Sequence, residues 1–422
     1  MPGGGTSPAA ARSSRKARLT ERHVLALGLA VSGGFVLAAG IVAAATVLGN
    51  GSAWAAVHLA LAGAAGTAIG AFMPHFAVTL SGTRPEPPLQ RLAGLGLLAG
   101  GAALAVVGVA LLGGGVAMIG SLTFVGGLAV TAWQTAVPSR SPLSRRHPIV
   151  TATYLAALAE MAGGVILGGL AAAAFDPVTG AWLTLRGAHA WLTLFGAVSL
   201  TIFGTLIYLA PTILGARVRP SRWLVAGTVG MIGGPIVAVV GFVLSSHVLV
   251  VAGVALTLGG GIGQIGYVVD VIRRRGPFTS EHDWRRMAYW PLVAGAGWFA
   301  AATAVALAHL TLGGRGIVGW SISVLAIPLV AGWMAQALVG SWTHLLPMVT
   351  PGSPQVHAAQ RRALAPLSRV RPAAWNAGIA LAWLGSATGT WPVTATGAIL
   401  IGAPVLVSVV LLGRALAATR GQ

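Results

Sequence analysis

Residues 188–215 read AHAWLTLFGAVSLTIFGTLIYLAPTILG, without one Asp, Glu, Lys or Arg. Coiled as an α-helix, this run would reach about 40 Å, more than the roughly 30 Å hydrocarbon core of a bilayer. Similar runs recur on both sides of it. Apolar stretches separated by charged, Pro-rich or Gly-rich breaks cover 24–48, 53–80, 91–111, 113–137, 149–175 and 187–214, then 222–246, 247–272, 287–311, 316–347, 373–391 and 393–414. Of the 422 residues, 56% are hydrophobic and only 8% charged, with a mean hydropathy of +0.83. A soluble domain carries about one quarter charged residues. The predicted fold is therefore all-α: a polytopic membrane protein of about twelve transmembrane helices.

The cations test this count independently, because cytoplasmic loops of membrane proteins are enriched in Lys and Arg. With the amino terminus inside, the inner segments collect Arg12, Arg15, Lys16, Arg18 and Arg22; Arg84 and Arg91; Arg140, Arg145 and Arg146; and Arg217, Arg219 and Arg222. They continue with Arg273, Arg274, Arg275, Arg285 and Arg286; Arg361, Arg362, Arg369 and Arg371; and Arg414 and Arg420. Only Arg186 and Arg315 fall outside, a division of 24 to 2. A missed span in the middle would scramble it. The net charge of +19 thus reports topology in a prokaryotic cytoplasmic membrane with both termini inside, and no nucleic-acid partner is expected. A cysteine introduced as Gly180→Cys is expected to react with an impermeant thiol reagent from outside, and Ser144→Cys to be shielded. The reverse labelling would overturn this topology.

Residues 1–22 read as a disordered basic tail, 23–415 as a single transmembrane bundle and 416–422 as a second tail. The first apolar run follows basic residues as a signal peptide would, but it is long enough to span and is read as the first helix. The chain has no Cys, which excludes disulfides, iron–sulfur clusters and thiol nucleophiles. Any metal would rest on His, Met, carboxylate or carbonyl oxygen.

A repeat runs through the spans. In the sixth, Gly196, Gly204 and Pro211 are spaced by eight and seven residues, and in the tenth Gly332, Gly340 and Pro347 repeat that spacing. The second span keeps the theme loosely with Gly63, Gly66, Gly70 and Pro74. Helices 2, 6 and 10 are four apart, which predicts three pseudo-repeated groups of four.

With an outer-end His on helix 2 and another on helix 6, this arrangement resembles haem-copper oxidase subunit I. The blocks HLALAGAAGTAIGAFMPHF, GAHAWLTLFGAVSLTIFGTLIYLAPTILG and ALVGSWTHLLP resemble the NnrS family of haem- and copper-containing membrane proteins and the membrane region of actinobacterial multicopper-oxidase-like proteins. The resemblance implies a haem b or copper cofactor, a link to redox or nitrogen-oxide chemistry, and a redox or cupredoxin-type partner protein. Oxidases of this class carry a haem His near the outer end of helix 10, where this chain has Leu325; nor is there an adjacent His-His pair. Oxygen reduction is not implied.

His58 and His189 are the cofactor and metal ligand candidates, His309 a further ligand on the same side, and His75 and His344 the members of an inner polar group or interfacial snorkelling residues. For His58 and His189 the alternative is a hydrogen bond to a neighbouring helix. His23, His147, His282 and His357 read as solvated loop residues. Glu160, the one carboxylate near mid-bilayer, reads either as a proton relay or substrate contact, or as a neutral acid bridging two helices; Glu160→Gln is expected to insert normally. Asp270 is expected to pair with the Arg residues that follow it. Trp191 could stack on a porphyrin or pack the core, and the GGGIG run at 259–263 reads as close helix packing. Two other classes stay open: a secondary transporter or channel, and a membrane anchor without cofactor.

Overall fold

The computed structural model of the chain describes residues 19–47, 49–138, 148–276, 282–313, 317, 323–350 and 352–417. The tail up to residue 18, Arg140, Arg145, Arg146, His147, Arg315, Trp320 and residues 418–422 lie outside the described residues. Within them all regular structure is helical. Eleven helices are long and apolar enough to cross a membrane: α1 (Glu21–Thr46), α2 (Ala53–Ser81), α3 (Pro88–Leu112), α4 (Gly114–Ala136), α5 (Pro148–Ala172), α6 (Trp182–Leu214), α7 (Arg222–Val243), α8 (His247–Arg273), α9 (His282–Leu312), α10 (Val324–Val349) and α13 (Trp391–Ala417). Between the last two lie α11 (Pro354–Leu364) and α12 (Val370–Thr388).

The outward faces carry Leu37 and Ile41 on α1, Ile119 and Leu122 on α4, Val225 and Val229 on α7, and Leu406 and Val409 on α13, all exposed. Helices in water would place polar residues there; in hydrocarbon these side chains are in their own solvent. The expected span at 373–391 is met by α12, but this helix does not reach the apolar standard of the other eleven. The reason is its amino-terminal end, where Arg371 and Asn376 interrupt the apolar run.

The chain forms two compact units, Met1–Arg146 and His147–Gln422. The first holds α1–α4 and the second α5–α13. Both use one construction, a tight antiparallel hairpin whose two helices meet along glycines. In α7 and α8, a Cβ on Gly230 would come within 2.7 Å of the Gly260 Cα, one on Gly227 within 2.9 Å of the Gln264 nitrogen, and one on Gly253 would overlap the Ala238 backbone nitrogen. The helices touch backbone to backbone, as small residues at a membrane interface allow, so the GGGIG run packs helices as expected. Ser246 closes the turn by accepting a hydrogen bond from the Leu249 N–H. The α3–α4 hairpin meets in the same way through Gly101 and Gly120, and α12–α13 through Gly378 and Gly397.

The other recurrent device is a π-helical turn inside a span. Such turns lie at Leu59–Ala65 in α2, Trp191–Val198 in α6 and Ile327–Met334 in α10, and another ends α3 at Gly108–Leu112. Those of α6 and α10 stand in one register against the Gly and Pro spacing: each begins 20 residues before the helix's inner proline, Pro211 or Pro347. In α2 the turn begins 15 residues before Pro74, so the looser spacing there is a real difference in geometry. Around the turns of α6 and α10 the second unit gathers its aromatic core. Phe203 meets Phe299 edge-on at 5.2 Å and Trp333 at 4.5 Å, and the Trp333 indole donates to Ser199 Oγ at 3.1 Å. Trp191 lies fully buried, stacked on Phe195 at 4.0 Å, as a core-packing residue would be.

Candidate functional site on the α5–α6 seam

Each π-helical turn of α2, α6 and α10 presents a glycine to the helix before it. A Cβ at Gly63 would overlap the Phe35 ring of α1, one at Gly332 would stand 2.7 Å from Trp298 of α9, and one at Gly196 would overlap the Glu160 carboxylate of α5. Two of these slots hold an aromatic ring; the third holds an acid. Glu160 is 5% exposed and neither oxygen has a hydrogen-bond partner. An ionised carboxylate held there without a partner would be costly. The neutral bridge between helices, one of the two readings of Glu160, is not made by this side chain.

One turn nearer the carboxyl end of α5, on the same face, the Gly164 carbonyl accepts a hydrogen bond from His189 Nδ1 at 2.8 Å. A carbonyl can only accept, so Nδ1 bears the proton and Nε2 the lone pair. The ring lies flat against α5 because Gly168 has no side chain; a Cβ there would stand 3.0 Å from His189 Cε1. Toward the amino end of α5 from Glu160, the Tyr154 hydroxyl meets Thr205 Oγ1 at 2.9 Å and Tyr208 joins the pair. The seam thus carries an imidazole, a carboxylic acid and three hydroxyls in succession.

His58 repeats the tautomer of His189 by a different route: its Nδ1 donates to the Trp54 carbonyl of its own helix at 2.8 Å, and the ring stacks on Trp54 at 4.1 Å. His58 and His189 belong to separate units. His309 is exposed on the last turn of α9. Among the described residues, no three His, Asp or Glu side chains gather as metal ligands.

In the first unit, Arg91 is 2% exposed, donates to Glu21 Oε1 at 2.7 Å and to the Ala71 carbonyl at 2.7 Å, and His75 Nδ1 approaches the same Glu21 oxygen at 3.5 Å. Arg91 is thus a buried partner of Glu21, more than a loop charge that orients the chain, and His75 belongs to the same polar group. Its counterpart in the second unit, His344, is 3% exposed and stacks on Trp284 at 5.4 Å, so it does not snorkel; neither ring nitrogen has a partner. Asp270 pairs with Arg274 at 2.8 Å, the interfacial pair expected of it. Gln336 and Asn376, which carry no pattern in the sequence, join through Asn376 Oδ1, which accepts from Gln336 at 3.0 Å and from the Trp298 indole at 2.6 Å.

These elements define a multi-pass α-helical membrane protein with an acid buried in one helix seam. No protein-family model and no curated protein matches the chain.

Proposed function

We propose that the protein is a haem b or copper carrier of the prokaryotic cytoplasmic membrane, connected with redox or nitrogen-oxide chemistry, with both termini cytoplasmic. The observation that carries this reading is the common tautomer of His58 and His189. Each imidazole is held through Nδ1 on a backbone carbonyl, the arrangement in which metal-bound histidines are oriented, with the lone pair on Nε2, the atom that would meet the metal. Each also stands at the entrance to a π-helical turn, a feature frequent at functional sites. Three groups of four helices account for the recurrence of the construction: a long helix, a π-turned helix and a glycine hairpin, with α12–α13 as the last hairpin and α12 as the twelfth span.

The donor set would supply one imidazole ligand per unit, His58 in the first and His189 in the second. It does not suit a pair of His ligands facing each other from α6 and α10, because Leu325, fully buried, stands where α10 would need the second one. When bound, haem iron or copper supplies the electron-accepting centre. The chain's own part is to fix the His189 tautomer through Gly164, hold the ring flat on α5 and exclude water with the aromatic core. Electrons would come from a redox or cupredoxin-type partner. The buried Leu325 also favours a second reading, a membrane anchor without cofactor.

Absorption spectra of the air-oxidised and dithionite-reduced protein decide between them. A Soret band or stoichiometric copper is expected, weakened markedly by His189→Ala or His58→Ala and unchanged by His357→Ala, whose ring bonds the Thr350 carbonyl on the loop side. Protein from haem-replete cells with neither haem nor copper would leave the anchor reading.

A further inference from the structure

We infer that Glu160 is a proton-exchanging site, loaded and unloaded along the α5–α6 seam. The slot it occupies does not require an acid for packing, because Phe35 and Trp298 fill the corresponding slots at Gly63 and Gly332 with rings. An aromatic ring there would cost nothing in unmade hydrogen bonds, whereas a carboxyl without a partner forfeits at least one. In a membrane bundle, an ionisable group kept at such a cost marks a pathway. A metal cation is a poor occupant: it needs several oxygen ligands, and among the described residues no group of three His, Asp or Glu side chains includes Glu160. The Leu194 carbonyl of the adjacent π-helical turn is engaged by Ser199 Oγ at 2.7 Å. A proton needs only the one carboxyl.

The groups facing Glu160 set the direction of exchange. From α6 these are His189, one turn outward, and Thr205 and Tyr208 inward; α5 itself adds Tyr154, six residues or about 9 Å along the helix. Two other helices touch both α5 and α6: α7, whose only titratable residue is Arg222 at its start, and the short helix Asp176–Thr179, which begins with Asp176. The carboxylic acid releases its proton toward the hydroxyl side, becomes a carboxylate for the moment of transfer, and is reprotonated from the outer side. No bond other than O–H is made or broken, and no electron moves.

Two measurements on the full-length protein test this. Dicyclohexylcarbodiimide, which reacts with protonated carboxyls in apolar surroundings, is expected to leave an adduct that peptide mass spectrometry places on Glu160, and Glu160→Gln removes it. In vesicles loaded with a pH dye and polarised with potassium and valinomycin, the wild-type protein is expected to admit protons faster than protein-free vesicles do. Glu160→Gln falls to the protein-free rate and Tyr154→Phe slows entry several-fold. Should Glu160→Gln fail to accumulate, Glu160→Phe takes its place, since a phenyl ring already fills the corresponding slot as Phe35. Absence of the adduct, or proton entry unchanged by either Glu160 variant, overturns the inference. Neither readout involves haem or copper, so the outcome is independent of the ligand reading of His189.

Discussion

Gly253→Leu is expected to abolish the folded state of the second unit. The Gly253 Cα faces the Ala238 backbone so closely that even a methyl group would overlap it. Relief requires moving α8 away from α7, and the contact is shared along the whole hairpin by Gly227, Gly230, Gly234 and Gly260, so separation at one point opens all of them. Forcing single methylenes into a packed core costs about 1–3 kcal/mol. A side chain inserted between two backbones loses the dispersion contacts of the entire seam and belongs in the tail of more than about 4 kcal/mol. Gly259→Leu, on the same helix but facing open space, is the control and is expected to be neutral. Thermal size-exclusion profiles of fluorescent fusions read both. Equal melting of the two variants would mean that the hairpin does not pack as described.

Glu21→Ala is the second large effect. It leaves the Arg91 guanidinium, 2% exposed, with the Ala71 carbonyl as its remaining neutral acceptor inside the first unit. Removing one partner of a buried pair costs about 3–5 kcal/mol, because the other charge stays buried and uncompensated. The pair is made through one oxygen and one nitrogen only; Glu21 Oε2 and Arg91 Nε are buried without partners, so its net contribution over an apolar pair is small. The double variant Glu21→Leu, Arg91→Leu is therefore expected to recover most of the stability lost in Glu21→Ala. A double variant no more stable than the single one would show that Arg91 is held by something other than charge.

What can be read from the sequence follows the physics of the bilayer. Of the twelve apolar runs read from the sequence, eleven meet helices long and apolar enough to cross a membrane, because length against hydrocarbon thickness is a one-dimensional property of the chain. Glu160 is visible as an isolated acid in an apolar run, and the Gly and Pro spacing of the sixth and tenth spans marks the register in which the π-helical turns of α6 and α10 stand. The turns themselves are not visible: a shift from four-residue to five-residue hydrogen bonding leaves no trace in hydropathy. The burial of Arg91 escapes for a related reason. Counting cations by side of the membrane registers sign and depth, but not a carboxylate 70 residues earlier that turns a loop charge into a buried pair. The same holds for His189, whose sequence neighbourhood says nothing of the Gly164 carbonyl on α5, although that bond decides which ring nitrogen carries the lone pair.

The glycine hairpins also bear on how the chain enters the membrane. In α7–α8 the two faces that must meet are joined by a turn of only three residues, Leu244 to Ser246, so the interface is complete as soon as α8 has left the translocon and needs nothing synthesised later. Contacts so close in sequence are quick to form. The α3–α4 and α12–α13 hairpins are equally local, each closing across one or two residues. Biogenesis can therefore proceed by releasing finished helix pairs into the lipid. Glu160 and its seam on α6 reach hydrocarbon before the hairpin that follows them, so α5 and α6 must accommodate the acid between themselves before α7 and α8 arrive.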